Sequence, residues 1–207
     1  MKPNLYVIAG PNGAGKSLFS ATLVDTDFEV FDGDKYISRL QHQFPEIGSD
    51  VLNNRVNEID FQEAKENAIH AQGNFAFETN FSSENPTFSV RQFKAAGYNV
   101  HLVFMGVDTL EECIQRVDIR VRSGGHKVTE GSIEYNFKHG YKNLYAYYAV
   151  FDTVTLYENS IAARDAQTVP QKLLFLKKTT VKVYHKELPS WAQKFLQVIL
   201  PKSKKIS

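Results

Sequence analysis

Three groups of residues in this chain have the types and spacing for chemistry on phosphate: a glycine loop ending in lysine and serine, carboxylates that close apolar runs, and arginines four apart. The loop is Gly10-Pro11-Asn12-Gly13-Ala14-Gly15-Lys16-Ser17, entered directly from the apolar run Leu5–Ala9. It fits G-x-x-x-x-G-K-[ST], a loop that wraps a row of phosphates. Glycine lets the backbone take positive φ and approach a ligand closely. Backbone N–H groups then converge on phosphate oxygens, and the helix that follows aims its positive end at the same place. Lys16 is spaced to reach the β- and γ-phosphates, and the Ser17 hydroxyl to hold Mg²⁺. Gly10 through Leu18 are therefore the expected binding segment for ATP or GTP.

The carboxylates come next. In "FDGDKY", Asp32 and Asp34 follow a short apolar run. A phosphoryl acceptor needs a carboxylate within hydrogen-bond reach to take its proton, which suits Asp34. Asp34 also opens a helix and could cap it, and Asp32 could be turn chemistry or hold Mg²⁺ through water. "FAFETNFSS" runs from buried apolar residues into Glu78, Thr79, Asn80, Ser82 and Ser83, as the edge of a site does. Arg116 and Arg120 share one helical face. Arg122, Gly124, Gly125 and His126 follow, a cationic helix end running into a glycine turn. Such a segment suits a lid that closes over ATP and stabilises charge on the moving phosphoryl group. The plain alternative is a solvated face whose arginines pair with Glu112 or Asp118.

These groups need elements to position them. Continuous apolar runs at Leu5–Ala9, Glu29–Phe31, Asn74–Glu78, Asn99–Val107 and Thr153–Tyr157 read as strands buried on both faces. Helices are expected over Ser17–Val24, Asp50–Gln72, Asn85–Ala96, Thr109–Arg122 and Glu130–Tyr148, with Gly73 and Gly97 as C-terminal stops. Alternating strands and helices argue a parallel α/β sheet, whose ligands bind at the carboxyl ends of the strands. Leu173–Lys177 and Thr179–His185 suit a hairpin. Pro189 suits the start of a last helix, with Trp191, Phe195 and Ile199 on one face. We expect a domain over 1–165 and a small hairpin-and-helix appendage over 166–207 packed on it. Tyr141, Tyr145, Tyr147 and Tyr148 read as packing.

Composition bounds the rest. The 207 residues, 43% hydrophobic and 23% charged, are ordinary for one globular core. A net charge of +1 gives no general drive toward nucleic acid or an anionic membrane. Cys113, the single cysteine, excludes an intrachain disulfide and suits a cytoplasmic setting. No apolar run approaches the roughly 20 residues of a membrane span, and the first one is too short for a signal peptide. No Cys/His spacing suggests structural zinc.

In order, "GPNGAGKS", "FDGDKY", "FAFETNFSS", "RVDIRVRSGGHKV" and "LYENS" resemble the zeta-toxin-like P-loop kinases, in particular the bacterial branch labelled predicted ABC-type ATPase. The resemblance runs from about Leu5 to Ser160. It implies a three-layer P-loop NTPase fold with a mainly parallel sheet, like nucleoside-monophosphate kinases. It also implies ATP, Mg²⁺, and a hydroxyl acceptor such as a UDP-amino sugar. Lys16 and Ser17 then serve phosphate and metal, Asp34 is the base, and Glu78 binds substrate beside Asn80 and Ser82. Arg116 and Arg120 lie on the helix that supplies the phosphate-clamping arginine. Zeta toxins proper carry threonine and arginine where Asn80 and Ser82 stand, and the branch carries an arginine where Asn136 stands. Two other readings remain: a nucleoside or nucleic-acid-end kinase, and a nucleotide-dependent switch with slow hydrolysis and an antitoxin-like protein partner.

Overall fold

In a computed structural model of the chain, residues 2–24, 29–123, 125, 128–160, 169–202 and 205–206 are described. Strands β1 (Asn4–Ala9), β2 (Phe75–Thr79), β3 (Asn99–Gly106), β4 (Thr153–Glu158), β5 (Gln171–Lys177), β6 (Thr180–Val183) and β7 (Lys205–Ile206) form one sheet. Its order is β2-β1-β3-β4-β5-β6-β7. β1 lies parallel to both β2 and β3, and β3 to β4, whereas β5 runs antiparallel to β4 and β6. The fold is thus α/β with a mainly parallel sheet, as expected.

Around the sheet lie α1 (Lys16–Val24), α2 (Gly33–Gln43), α3 (Ser49–Arg55), α4 (Phe61–Ala71), α5 (Asn85–Ala95), α6 (Leu110–Arg122), α7 (Glu130–Tyr147) and α8 (Ser190–Ile199). Alternation along β1 splits the core between the two faces. Leu5, Val7 and Ala9 join one apolar cluster, and Ile8 joins Met105, Cys113 and Val117 in the other. Trp191, Phe195 and Ile199 of α8 bury themselves in the first cluster. The hairpin strands β5 and β6 continue the main sheet edge to edge. Tyr141 is packing, as read: it stands among Phe104, Phe137 and Trp191, and its hydroxyl donates to Val107 O at 2.7 Å.

Several local expectations need correction. The strand expected at Glu29–Phe31 is a single parallel bridge, Phe31 to Phe77, because Asp32 at once begins to cap a helix. That cap belongs to Asp32, whose Oδ1 accepts from Lys35 N at 3.2 Å, and not to Asp34. The helix expected over Asp50–Gln72 is interrupted by a π turn at Val56–Asp60. At its end the left-handed residue is Gln72 (φ 50°), one position before the expected glycine; Gly73 N instead closes the turn on Ala68 O at 3.0 Å. Gly97 does take the left-handed stop, at φ 91°.

Candidate active site

The glycine loop leaves β1, the strand flanked on both sides by parallel neighbours, and feeds α1. Two adjacent strands leave in different directions there, so the loop sits over a crevice at their carboxyl ends. Gly15 takes φ 85°, and a Cβ on it would stand 2.6 Å from the Asn159 amide nitrogen. Only glycine meets both demands. Within the loop, Pro11, Asn12 and Ala14 are buried.

Lys16 Nζ donates to Gly10 O at 2.7 Å, Pro11 O at 3.1 Å and Asn80 Oδ1 at 2.9 Å. The ammonium is folded back onto its own loop, poised where phosphate oxygens could replace the carbonyls. Burial lowers its pKa, against the opposing pull of Glu78, Asp34 and Asp32. Ser17 Oγ donates to Glu78 Oε2 at 2.8 Å. Lys16, Ser17, Asp34, Glu78, Asn80, Arg116 and Arg120 line one cleft of about 610 Å³, together with Asn12, Gly13, Gly15 and Leu18. Ser82 does not line it, and Arg122 is exposed beyond it. Of the expected lid, Gly125 N bonds Arg120 O at 2.9 Å; Gly124 and His126 fall outside the described residues.

Asn80 is presented to Lys16 by an unusual turn. Phe81, fully buried, has φ 55°. A bulky residue there carries roughly 1–3 kcal/mol of strain, which clusters at functional sites. The turn is held by Thr79 Oγ1, which accepts from Phe81 N at 3.0 Å, and by Asn143, which donates to Phe81 O at 2.8 Å. Gly140 of α7 lets that helix approach, since a Cβ there would stand 2.8 Å from Asn80 O.

Arg116 is neither a solvated arginine nor a swinging lid cation. Its side chain is 12% exposed, ion-paired to Glu112. It donates to Gly13 O at 3.2 Å and to Asn159 O. The expected Glu112 pairing is present, yet it holds the guanidinium under the phosphate loop. Asn159 is a structural member of the site that single-residue reading missed, and Asn136 joins it where the family branch carries an arginine. Asn159 donates to Ala14 O at 2.6 Å, and Asn136 to Asn12 Oδ1 at 2.8 Å. The "LYENS" stretch was a signal for Asn159. A chain of bonds continues outward: Glu158 accepts from Ser160 N at 2.8 Å, from Ser160 Oγ, and from Trp191 Nε1 at 2.9 Å.

Carboxylates crowd the cleft floor. Asp32 Oδ2 and Glu78 Oε1 are buried with no hydrogen-bond partner among the described residues. Burial raises the Glu78 pKa, and the Asp32 charge raises it further, with Lys16 opposing. A carboxyl held above its unfolded value binds its proton more tightly in the folded state. Stability is then fullest below the unfolded pKa and is lost as pH climbs through the folded one. Glu78→Gln should therefore raise the melting temperature of the ligand-free protein, and the gain should grow from pH 5 to pH 8. A gain independent of pH would place its origin elsewhere.

A phosphate loop on a central parallel strand, Glu78 near the end of the strand beside it, Asp34 at the start of α2 and an arginine helix facing them mark the class, a P-loop kinase. The chain belongs to the Zeta toxin family, whose model matches residues 1–188. An uncharacterised Haemophilus influenzae protein is 27% identical over 138 residues, 66% of this chain and 94% of that one. The structure of the PezAT toxin–antitoxin system of Streptococcus pneumoniae superposes with TM-score 0.59 at 15% identity, covering 97% of this chain and 85% of that one. The AvrRxo1-ORF1:AvrRxo1-ORF2 complex with sulphate ions gives TM-score 0.62 at 12% identity, and the same complex with ATP gives 0.59 at 14%. In both, this chain is covered to 96% and spans 64%, just under two thirds, of the chain it matches. Among the described residues no helix is long and apolar enough to cross a membrane, and no group of three or more His, Cys, Asp or Glu could hold a metal.

Proposed function

We propose that the protein is an ATP-dependent kinase that transfers the γ-phosphate to a hydroxyl of a small molecule in the cytoplasm. One observation carries this reading: Lys16 and Ser17 of the phosphate loop share a single cleft with Asp34 and Glu78. A nucleotide switch needs the first pair only, whereas a kinase needs a proton acceptor in the same space. The acceptor hydroxyl gives its proton to Asp34, its oxygen forms the new bond to the γ-phosphorus, and the bond to the bridging oxygen of ADP breaks. Lys16 and the loop N–H groups hold the phosphates in line. Ser17 Oγ, with the unsatisfied carboxylate oxygens of Asp32 and Glu78 behind it, suits Mg²⁺; the ion would neutralise charge on the β- and γ-oxygens. A UDP-amino sugar is the acceptor that the family suggests. An antitoxin-like protein partner is supported by the fold shared with PezAT.

Arg120, exposed on the cleft wall, is the residue for charge on the moving phosphoryl group. Arg120→Ala should lower kcat more than it raises KM for ATP, because such contacts strengthen as charge shifts. A pure KM effect would make Arg120 a ground-state binder. The reading as a whole is tested by incubating the protein with γ-labelled ATP, Mg²⁺ and a metabolite extract supplemented with UDP-N-acetylglucosamine. Label on a small organic product is expected; label only in free phosphate would overturn the kinase.

A further inference from the structure

Three residues on one face of α7 meet the phosphate site. Asn136, Gly140 and Asn143 recur at spacings of four and three, so they share one side of the helix. Asn136 Nδ2 donates to Asn12 Oδ1 at 2.8 Å, within the phosphate loop. Gly140 lies against Asn80 O, where a Cβ would stand 2.8 Å away. Asn143 Nδ2 donates to Phe81 O at 2.8 Å. One helix face thus touches both the loop and the turn that hands Asn80 to Lys16.

Packing alone does not account for Asn143. It is 9% exposed, and asparagine is a poor helix former whose amide is costly to bury without a partner. Leucine would serve a core position better. What the amide supplies is a donor for the carbonyl of Phe81, a buried residue held at φ 55°. Take the donor away and that buried carbonyl loses its bond, while the strained backbone loses a restraint. Relaxation of Phe81 toward an ordinary φ turns the Asn80–Phe81 peptide and carries the Asn80 side chain with it. Lys16 Nζ then loses its 2.9 Å bond to Asn80 Oδ1, the contact that fixes it from outside its own loop.

We infer that Asn143 is a positioning residue for Lys16, acting through Phe81 and Asn80. It does not line the phosphate cleft. The inference rests on the kinase reading, in which Lys16 holds the phosphates, and adds to it a residue outside the cleft.

The test uses the full chain carrying isotope-labelled lysine. The Lys16 ammonium signal, assigned by its loss in Lys16→Met, is followed by NMR alongside ATP turnover. An ammonium held by hydrogen bonds keeps its protons long enough to be seen. Asn143→Ala should abolish the signal and lower kcat about tenfold, the scale of one hydrogen bond to a charged group, with a smaller change in KM for ATP. Gly140→Ala should do the same by crowding Asn80 O, although alanine suits a helix better than glycine. It carries the test should Asn143→Ala fail to fold. Adding Asn143→Ala to Asn80→Ala should lower kcat no further, while the loss in melting temperature persists. An unaltered ammonium signal in either folded variant overturns the inference, as does its absence from the native chain. So does a kcat loss that adds in full to that of Asn80→Ala, which is what a general softening of the core would give. The two readings fail separately. Loss of the signal in the variants, with label from ATP found only in free phosphate, keeps the positioning role and removes the kinase. Label on a small organic product with the signal unaltered does the reverse.

Discussion

Asp34→Asn should lower phosphoryl transfer by about 10²–10⁴, or roughly 3–5 kcal/mol of barrier, with ATP affinity nearly unchanged. Asparagine keeps the shape and removes the base. Asp34 is exposed in the first turn of α2 and lines the phosphate cleft. The capping bond that would confuse the result belongs to Asp32, so the substitution leaves it in place. The folded state loses only one acidic residue near a helix N-terminus, about 0.3–1 kcal/mol. A large fall in transfer therefore cannot be blamed on unfolding, and a thermal melt checks this directly. Near-normal transfer would remove Asp34 from the mechanism. Lost ATP binding would make it a nucleotide or metal residue. Loss of transfer alone is the signature of a kinase, because a nucleotide switch has no acceptor proton to remove.

Lys16→Ala should weaken ATP binding or turnover by about 10² or more, the scale for removing one preorganised charge from a transferring phosphoryl group. The ammonium ties Gly10, Pro11 and Asn80 together, and it is the positive charge set against Glu78, Asp34 and Asp32. Alanine leaves those carboxylates facing the triphosphate without the ammonium set between them. Titration calorimetry with ATP and a transfer assay read the two effects. Lys16→Met, which keeps most of the volume, separates charge from packing. Wild-type affinity and turnover in both variants would sink the nucleotide reading.

The parallel sheet and the phosphate loop were legible because each rests on local pattern. β1 is a run of apolar residues buried on both faces, and the glycine spacing leaves few alternatives. The zeta-toxin resemblance was likewise carried by motifs in order. Three things escaped. Arg116 looked like a lid cation because its spacing to Arg120 is visible and its partners are not; the carbonyls of Gly13 and Asn159 lie 103 and 43 residues away in sequence. The π turn in "VNEID" has no periodicity of its own, since it inserts into a helix that reads as continuous. Phe81 could not be foreseen in a left-handed conformation, because local preference disfavours it and part of what holds it, Asn143, lies on a distant helix that Gly140 lets approach.

The bond from Trp191 to Glu158 makes the order of synthesis matter. Glu158 adjoins Asn159, which grips the phosphate loop at Ala14 and receives Arg116. On the ribosome the loop is made well before α8. Until α8 arrives, Glu158 lacks the indole that helps hold it, and the segment bracing the loop is incompletely tethered. The nascent chain thus carries its nucleotide motif well before it carries the helix that completes the brace around it. For an enzyme that draws on ATP, that delay separates having the motif from having the finished site.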